Sequence, residues 1–269
     1  MNFNVGKIPY INTFLGVSAP NPRPADVRQV GCTPVVPADT FHSSNPERYA
    51  SEFMISKLVR DNSNIENILR TNGLQCVLNT KDLNYIMNEH GNATRTIAQG
   101  IYENLPYSLS STVDINSLKE AAYLHDIGKV LIPEDILNKK DTLNLGETKV
   151  MQLHPVLSRE LLKSTNINPR TLYLIENHHQ NILRSGYPKA GKDFKADTDL
   201  QILALADKYS ALTEARAYKA PLSRESALTI INTEVKMGKF NPQIYNALVK
   251  YTATLPERNP LLTNSNITM

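Results

Sequence analysis

The chain has 269 residues, enough for one large domain or a domain with an extension. Its 29 Lys and Arg against 26 Asp and Glu leave a net charge of only +3, which gives no electrostatic case for double-stranded nucleic acid or an anionic membrane as partner. Two cysteines, Cys32 and Cys76, exclude a disulfide framework and a cysteine-rich zinc module. No apolar run approaches the roughly 18 residues of a membrane span, so the expectation is a cytoplasmic protein without a signal peptide.

Residues 1–44 carry Pro9, Pro20, Pro22, Pro24, Pro34 and Pro37 and show no apolar period. Proline removes backbone donors and restricts the residue before it, so this segment reads as an extended or disordered N-terminal arm. Asn45, Pro46 and Glu47 have the form of a helix start. Residues 45–82 read as a helical cap or dimerising segment, which makes a homodimer an expectation. From Asn45 to about residue 250 apolar residues recur at helical spacing, with 83–253 as the main domain, and no stretch alternates strictly for long. Ser117 with Glu120, and Thr198 with Gln201, fit capping boxes. The core is therefore predicted all-α, a helical bundle with few or no strands. Residues 254–269 are polar, contain Pro256 and Pro260, and read as a frayed tail.

Four of the six histidines fall between 125 and 179. His125 follows Leu118, Ala121 and Ala122 by seven, four and three residues, which places it on the apolar face of its helix. His154 stands in the same relation to Val150 and Met151. His178 is so related to Thr171, Leu174 and Ile175, and His179 to Leu172 and Ile175. Asp207 follows Leu200, Leu203 and Ala204 by the same intervals. One inward histidine is ordinarily a core residue with one hydrogen bond. A buried carboxylate costs several kcal/mol unless it is paired or bound to metal. Four histidines with Asp126 and Asp207 on inward faces are satisfied together by a metal site. Imidazole and carboxylate without thiolate suit Fe, Mn, Zn or Ni. Six such side chains exceed one tetrahedral shell, so a carboxylate bridging two divalent ions is the natural solution.

The run Leu124-His125-Asp126-Ile127-Gly128-Lys129 resembles the signature of the HD superfamily of metal-dependent phosphohydrolases. His154-Pro155, His178-His179, Gly186-Tyr187-Pro188, Ala206-Asp207 and Arg216-Ala217-Tyr218-Lys219 follow in the order of its HD-GYP family. The resemblance spans roughly residues 83–250. It implies a helical domain with two or three metal ions, often iron or manganese, that hydrolyses a cyclic dinucleotide such as c-di-GMP. By position it implies Asp126 bridging two metals, His154, His178 and His179 completing one shell, and His125 with Asp207 on the other metal. Lys129 would sit near the scissile phosphate, and Arg216, Lys219 and Tyr187 would contact substrate.

The pattern also departs from that family. Asn92 stands where the family has a histidine three residues before Arg95, and Asn88 where some members have Glu. His90 is about 200° round a helix from Asn92 and is expected to point away, which leaves Glu89 as the candidate replacement ligand. Gln180, Leu183-Arg184 and Ser210 replace Glu, Asp-Gly and Asp. The sequence therefore supports a metal-dependent phosphodiesterase. The alternatives are a degenerate domain binding a nucleotide or protein partner without turnover, and a phosphohydrolase for another nucleotide.

Overall fold

A computed structural model describes residues 46–49, 51–214 and 220–256. The expected N-terminal arm, the helix start at Asn45, Arg216, Lys219 and most of the tail lie outside the described residues.

Among the described residues every regular element is helical. After a 3₁₀ turn at Pro46–Tyr49 come α1 (Glu52–Arg60) and α2 (Ser63–Thr71). A π-helical turn, Tyr85–Gly91, runs without a break into α3 (Asn92–Glu103). The short α4 (Tyr107–Ser110) precedes α5 (Ile115–Leu124), and a second 3₁₀ turn follows at Ile127–Leu131. Then come α6 (Glu134–Leu137), α7 (Leu145–Met151), α8 (His154–Leu162), α9 (Pro169–Asn177), α10 (Thr198–Thr213), α11 (Arg224–Lys236) and α12 (Pro242–Ala253). None of these helices is long and apolar enough to cross a membrane.

The helix starts differ in detail from the sequence reading. Ser117 and Thr198 are not caps. Asp114 caps α5 by accepting from the Ser117 amide, and Asp197 caps α10 by accepting from the Leu200 amide. An ionised carboxylate gives a stronger charge-assisted bond there than a hydroxyl and also complements the helix dipole. Among the described residues the one full capping box is Asn144 with Glu147 on α7.

The core is built by α3, α5, α8, α9 and α10. Helix α3 packs on α5, α10 and α12, while α8 packs on α9 and on the second 3₁₀ turn. Leu118, Ala121, Ala122 and Leu124 of α5 are fully buried. So are Leu157 and Leu161 of α8, Leu174 and Ile175 of α9, and Leu200 and Leu203 of α10. Burial of such leucine and isoleucine side chains contributes about 1.5–3 kcal/mol each. Helices α1 and α2 dock on α8. Asn62 Nδ2 donates to the Glu160 carbonyl at 2.6 Å and Asn64 Nδ2 to its carboxylate at 2.8 Å.

One contact fixes the turn after α5. Asp126 leaves the helix at φ −100°, ψ 0°, in the sparsely allowed region between helix and strand. Buried Ser158 of α8 then brackets the turn. Its Oγ accepts from the Gly128 amide at 2.8 Å and donates to the His125 carbonyl at 2.7 Å. The two backbones lie so close that a Cβ on Gly128 would fall 2.4 Å from the His154 carbonyl oxygen and 2.5 Å from the Ser158 nitrogen. Neither atom belongs to a side chain that can swing away. Gly128→Ala is therefore expected to destabilise the protein by about 1–3 kcal/mol, with a lowered Tm in thermal unfolding. An unchanged Tm would mean that α8 and the turn are not in this contact.

Candidate metal centre

Three of the histidines are presented by one local device. His125 stands at the C-cap of α5, His154 opens α8, and His178 stands at the C-cap of α9. In each, Nδ1 lies against the carbonyl three residues earlier: Ala122 at 2.9 Å, Met151 at 2.7 Å and Ile175 at 2.7 Å. A carbonyl can only accept, so each Nδ1 carries a proton and each Nε2 is the nitrogen turned inward, with a free lone pair on neutral His154 and His178. For His154 the sequence reading continued the α7 face. The structure instead breaks the helix at Gln152–Leu153, and His154 begins the next one.

The inward atoms form two groups. The nitrogens of His154, His178 and His179 make one, and those of His90 and His125 with carboxylate oxygens of Asp126 and Asp207 make the other. Within each group the candidate ligand atoms all lie within 4.8 Å of one another. In the first, His154 Nε2 is 3.2 Å from His178 Nε2 and 3.1 Å from His179 Nε2. In the second, His125 Nε2 is 3.4 Å from Asp126 Oδ2 and 3.5 Å from Asp207 Oδ1. Asp126 lies between the groups. Its Oδ1 is 3.2 Å from His154 Nε2, and its Oδ2 is 3.4 Å from both His90 Nε2 and His125 Nε2.

Lone pairs facing lone pairs and carboxylates is an arrangement that wants a cation. His125 Nε2 and Asp126 Oδ1 are buried with no hydrogen-bond partner among the described residues. In the metal-free protein the proton on His125 supplies part of that positive charge. Burial pulls the His125 imidazole down, but the Asp126 and Asp207 carboxylates outweigh it and push it up to about 10. Burial lowers His154 to about 3, and burial with the neighbouring His125 charge lowers His178 to about 4. Burial opposes ionisation of Asp126, yet Lys129 and His125 hold its carboxyl well below the usual range. His90 is raised: burial works against it, and the hydrogen bonds to Asp207 and Glu214 prevail. This donor set, of mixed imidazole and carboxylate, fits divalent transition metals.

His90 does not point away as expected. It is buried, with Nε2 3.1 Å from Asp207 Oδ1. The error lay in taking Asn92 as the reference for the inward face. The buried stripe of α3 runs through Thr94, Ile97, Ala98 and Ile101, and His90 is four residues before Thr94. The same seven-four-three test applied to the other histidines finds it. Asn92 is half-buried and spent locally, donating to the Asn88 carbonyl and accepting from Arg95. Glu89, the candidate replacement ligand, is exposed and accepts from Asn84 at 3.3 Å. Glu214, which no motif singled out, accepts from His90 Nδ1 at 2.9 Å.

Lys129 Nζ donates to Asp126 Oδ2. The Tyr187 ring stacks on His179 with centroids 4.5 Å apart. Gly186 is required by space, since a Cβ there would lie 1.9 Å from the His179 carbonyl oxygen. Gln180 holds this loop, with Oε1 accepting from the Gly186 amide at 3.2 Å and Nε2 donating to the Pro188 carbonyl. Arg184 has φ 55°, in the left-handed region that glycine adopts freely. Its guanidinium donates to the Phe194 carbonyl at 2.9 Å.

These shifts set how the metal-free protein responds to pH. An unfolded histidine titrates near about 6.5. Folded His154 and His178 refuse protons that the unfolded chain accepts, so stability falls as pH drops from there toward 4. Folded His125 keeps a proton that the unfolded chain gives up, so stability falls as pH rises toward 10. Chelated protein should therefore have a Tm maximum near neutral pH, with His154→Gln flattening the acid limb and His125→Gln the alkaline one. A profile flat between pH 4.5 and 9 would contradict the burial of these groups.

Comparison with known proteins places this architecture. A family model described as an HD domain matches residues 83–244. The 3′3′-cGAMP-specific phosphodiesterase 1 of Vibrio cholerae is 34% identical over 49% of this chain and 32% of that protein. The cyclic di-GMP phosphodiesterase response regulator RpfG of Xanthomonas campestris is 31% identical over 55% of this chain and 39% of that protein. The chain thus spans only about a third of these relatives' length. The solved structure of Bd1817, described as an HDG"Y"P protein from Bdellovibrio bacteriovorus, shares the fold. Its TM-score is 0.51 at 15% identity, over 77% of this chain and 68% of that one. With the ordered His-Asp motifs, the matched model and the shared helical fold, the chain belongs to the HD-domain family and, within it, to the HD-GYP group.

Proposed function

We propose that this domain is a two-metal phosphodiesterase that hydrolyses a cyclic dinucleotide. The observation that carries the reading is Asp126, which presents one carboxylate oxygen to each of two groups of inward-facing ligand atoms. His154, His178 and His179 would hold one ion with Asp126 Oδ1. His90, His125 and Asp207 would hold the other with Asp126 Oδ2. Iron and manganese are the metals best matched to this neutral-and-anionic donor set, with zinc and nickel as further candidates. Divalent ions, when bound, supply Lewis acidity toward a phosphoryl oxygen and lower the pKa of water.

The chain's own residues then do four things. The Nδ1–H bonds of His125, His154 and His178 to backbone carbonyls fix their rings, so the shell needs no reorganisation. Lys129, already beside Asp126, supplies a positive charge for the anionic phosphodiester. Tyr187, stacked on His179, offers an aromatic face on which a base or ribose can rest. Arg216 and Lys219, which follow α10, are proposed to bind substrate phosphate, with Arg suited to bidentate contact. The relatives' names, one specific for 3′3′-cGAMP and one for cyclic di-GMP, support the substrate class. The position of His90 favours this reading over a degenerate domain, because the second group keeps four donors despite Asn92.

Anaerobically purified protein is expected to carry two ions per chain and to hydrolyse c-di-GMP or 3′3′-cGAMP to linear products. Asp126→Ala should lose both ions and at least about 10³-fold in rate, because it removes a ligand from each. His90→Ala should cost one ion, whereas Asn92→His should change neither metal content nor turnover. A gain of metal in Asn92→His, or full metal content in Asp126→Ala, would overturn the ligand assignment.

A further inference from the structure

The proposed ligand His90 is clasped between two carboxylates of one helix. Its Nε2 is 3.1 Å from Asp207 Oδ1 and its Nδ1 is 2.9 Å from Glu214 Oε2. Asp207 and Glu214 are seven residues apart, two turns of helix, so both face the same way from α10 and its end. Glu214 does more than meet His90. Its Oε2 also accepts from Tyr85 Oη at 3.1 Å, and its Oε1 accepts from Ser210 Oγ. The Tyr85 and His90 rings lie parallel within 15°. Five residues separate them. In an α-helix that interval is about 140° of rotation, and the two side chains would diverge. The π turn at Tyr85–Gly91 closes its bonds from i to i+5 and brings them onto one face. The rare helical turn and the carboxylate therefore answer one requirement.

We propose that Glu214 is a positioning residue that, with Tyr85 across the π turn, fixes the tautomer and direction of His90 so that Nε2 faces the metal. The proposal rests on the two-metal reading above and adds a residue that touches neither ion nor substrate. An ionised carboxylate on Nδ1 requires a proton there, so it is Nε2, beside Asp207, that would give up its proton to a metal, and the imidazole becomes a stronger donor. Glu214 also immediately precedes the stretch that holds Arg216 and Lys219, so the same side chain links the metal shell to the proposed phosphate contacts in sequence.

The test is Mn²⁺ titration of the full chain by calorimetry, in wild type, Glu214→Ala, Glu214→Gln and Tyr85→Phe, with a metal-free crystal structure of Glu214→Ala. Glu214→Ala is expected to weaken one of two Mn²⁺ ions by about 10–100-fold and leave the other within about twofold. Glu214→Gln, which keeps an acceptor but not the charge, should weaken the same ion by less and serves as the variant least disturbing to folding. Tyr85→Phe should lie between Gln and wild type. In the crystal structure the His90 ring should have turned from Asp207. Unchanged affinities in all variants, equal weakening of both ions, or an unmoved His90 ring would each overturn the proposal. If wild type binds no Mn²⁺, the two-metal reading fails instead, and the ring position in Glu214→Ala still decides whether Glu214 holds His90.

Discussion

The structure depends on a conflict that the protein does not resolve by itself. The Nδ1–H groups of His125, His154 and His178 are spent on backbone carbonyls, so their Nε2 atoms converge on each other and on two ionised carboxylates. Among the described residues His125 Nε2 and Asp126 Oδ1 have no hydrogen-bond partner, although both are buried. Polar atoms left this way ordinarily cost about 1–3 kcal/mol each. A folded protein tolerates that when the cost is offset by a bound ligand or by an unusually well-packed surround. The donor set suits metal ions, and Leu124, Leu157 and Leu174 of the helices that carry the histidines are fully buried.

The fold reads as the means of holding that conflict in place. Each ligand group is assembled from separate helices: α5, α8, α9 and α10, with the π turn before α3. No single segment can relax without disturbing the others. Ser158 locks the turn after α5 to α8, and the absent side chain of Gly128 lets the two backbones close. Gly186 allows the same approach of the Tyr187 loop to His179. Such close contacts explain why histidine, aspartate and glycine stand together in the short run His125-Asp126-Ile127-Gly128. The first two provide donors, and the third provides the distance at which the donors can meet.

Much of this was legible in sequence. Inward faces for His125, His178, His179 and Asp207 followed from apolar residues three, four and seven positions earlier, and the absence of alternation predicted an all-helical core. Other features were not legible, for identifiable reasons. His90 was judged against Asn92, a position that the buried stripe of α3 does not include, and not against Thr94, which it does. Glu214 carries no local signal: its role exists only because α10 lies beside the π turn, a tertiary fact. The capping positions slipped because Asp114 and Asp197 lie just before hydroxyl residues with plausible box partners, and carboxylates won. Gln180 looked like the loss of a charged residue, yet both ends of its amide close the Tyr187 loop.

The central claim is that the two ligand groups hold two ions that share Asp126. The most direct measurement is anomalous diffraction from crystals of the protein loaded with Mn²⁺ or Fe²⁺. The account predicts two peaks about 3.5–4 Å apart, one among His154, His178 and His179 and one among His90, His125 and Asp207, with the Asp126 carboxylate between them. A single peak, or a second peak that excludes His90, would contradict it.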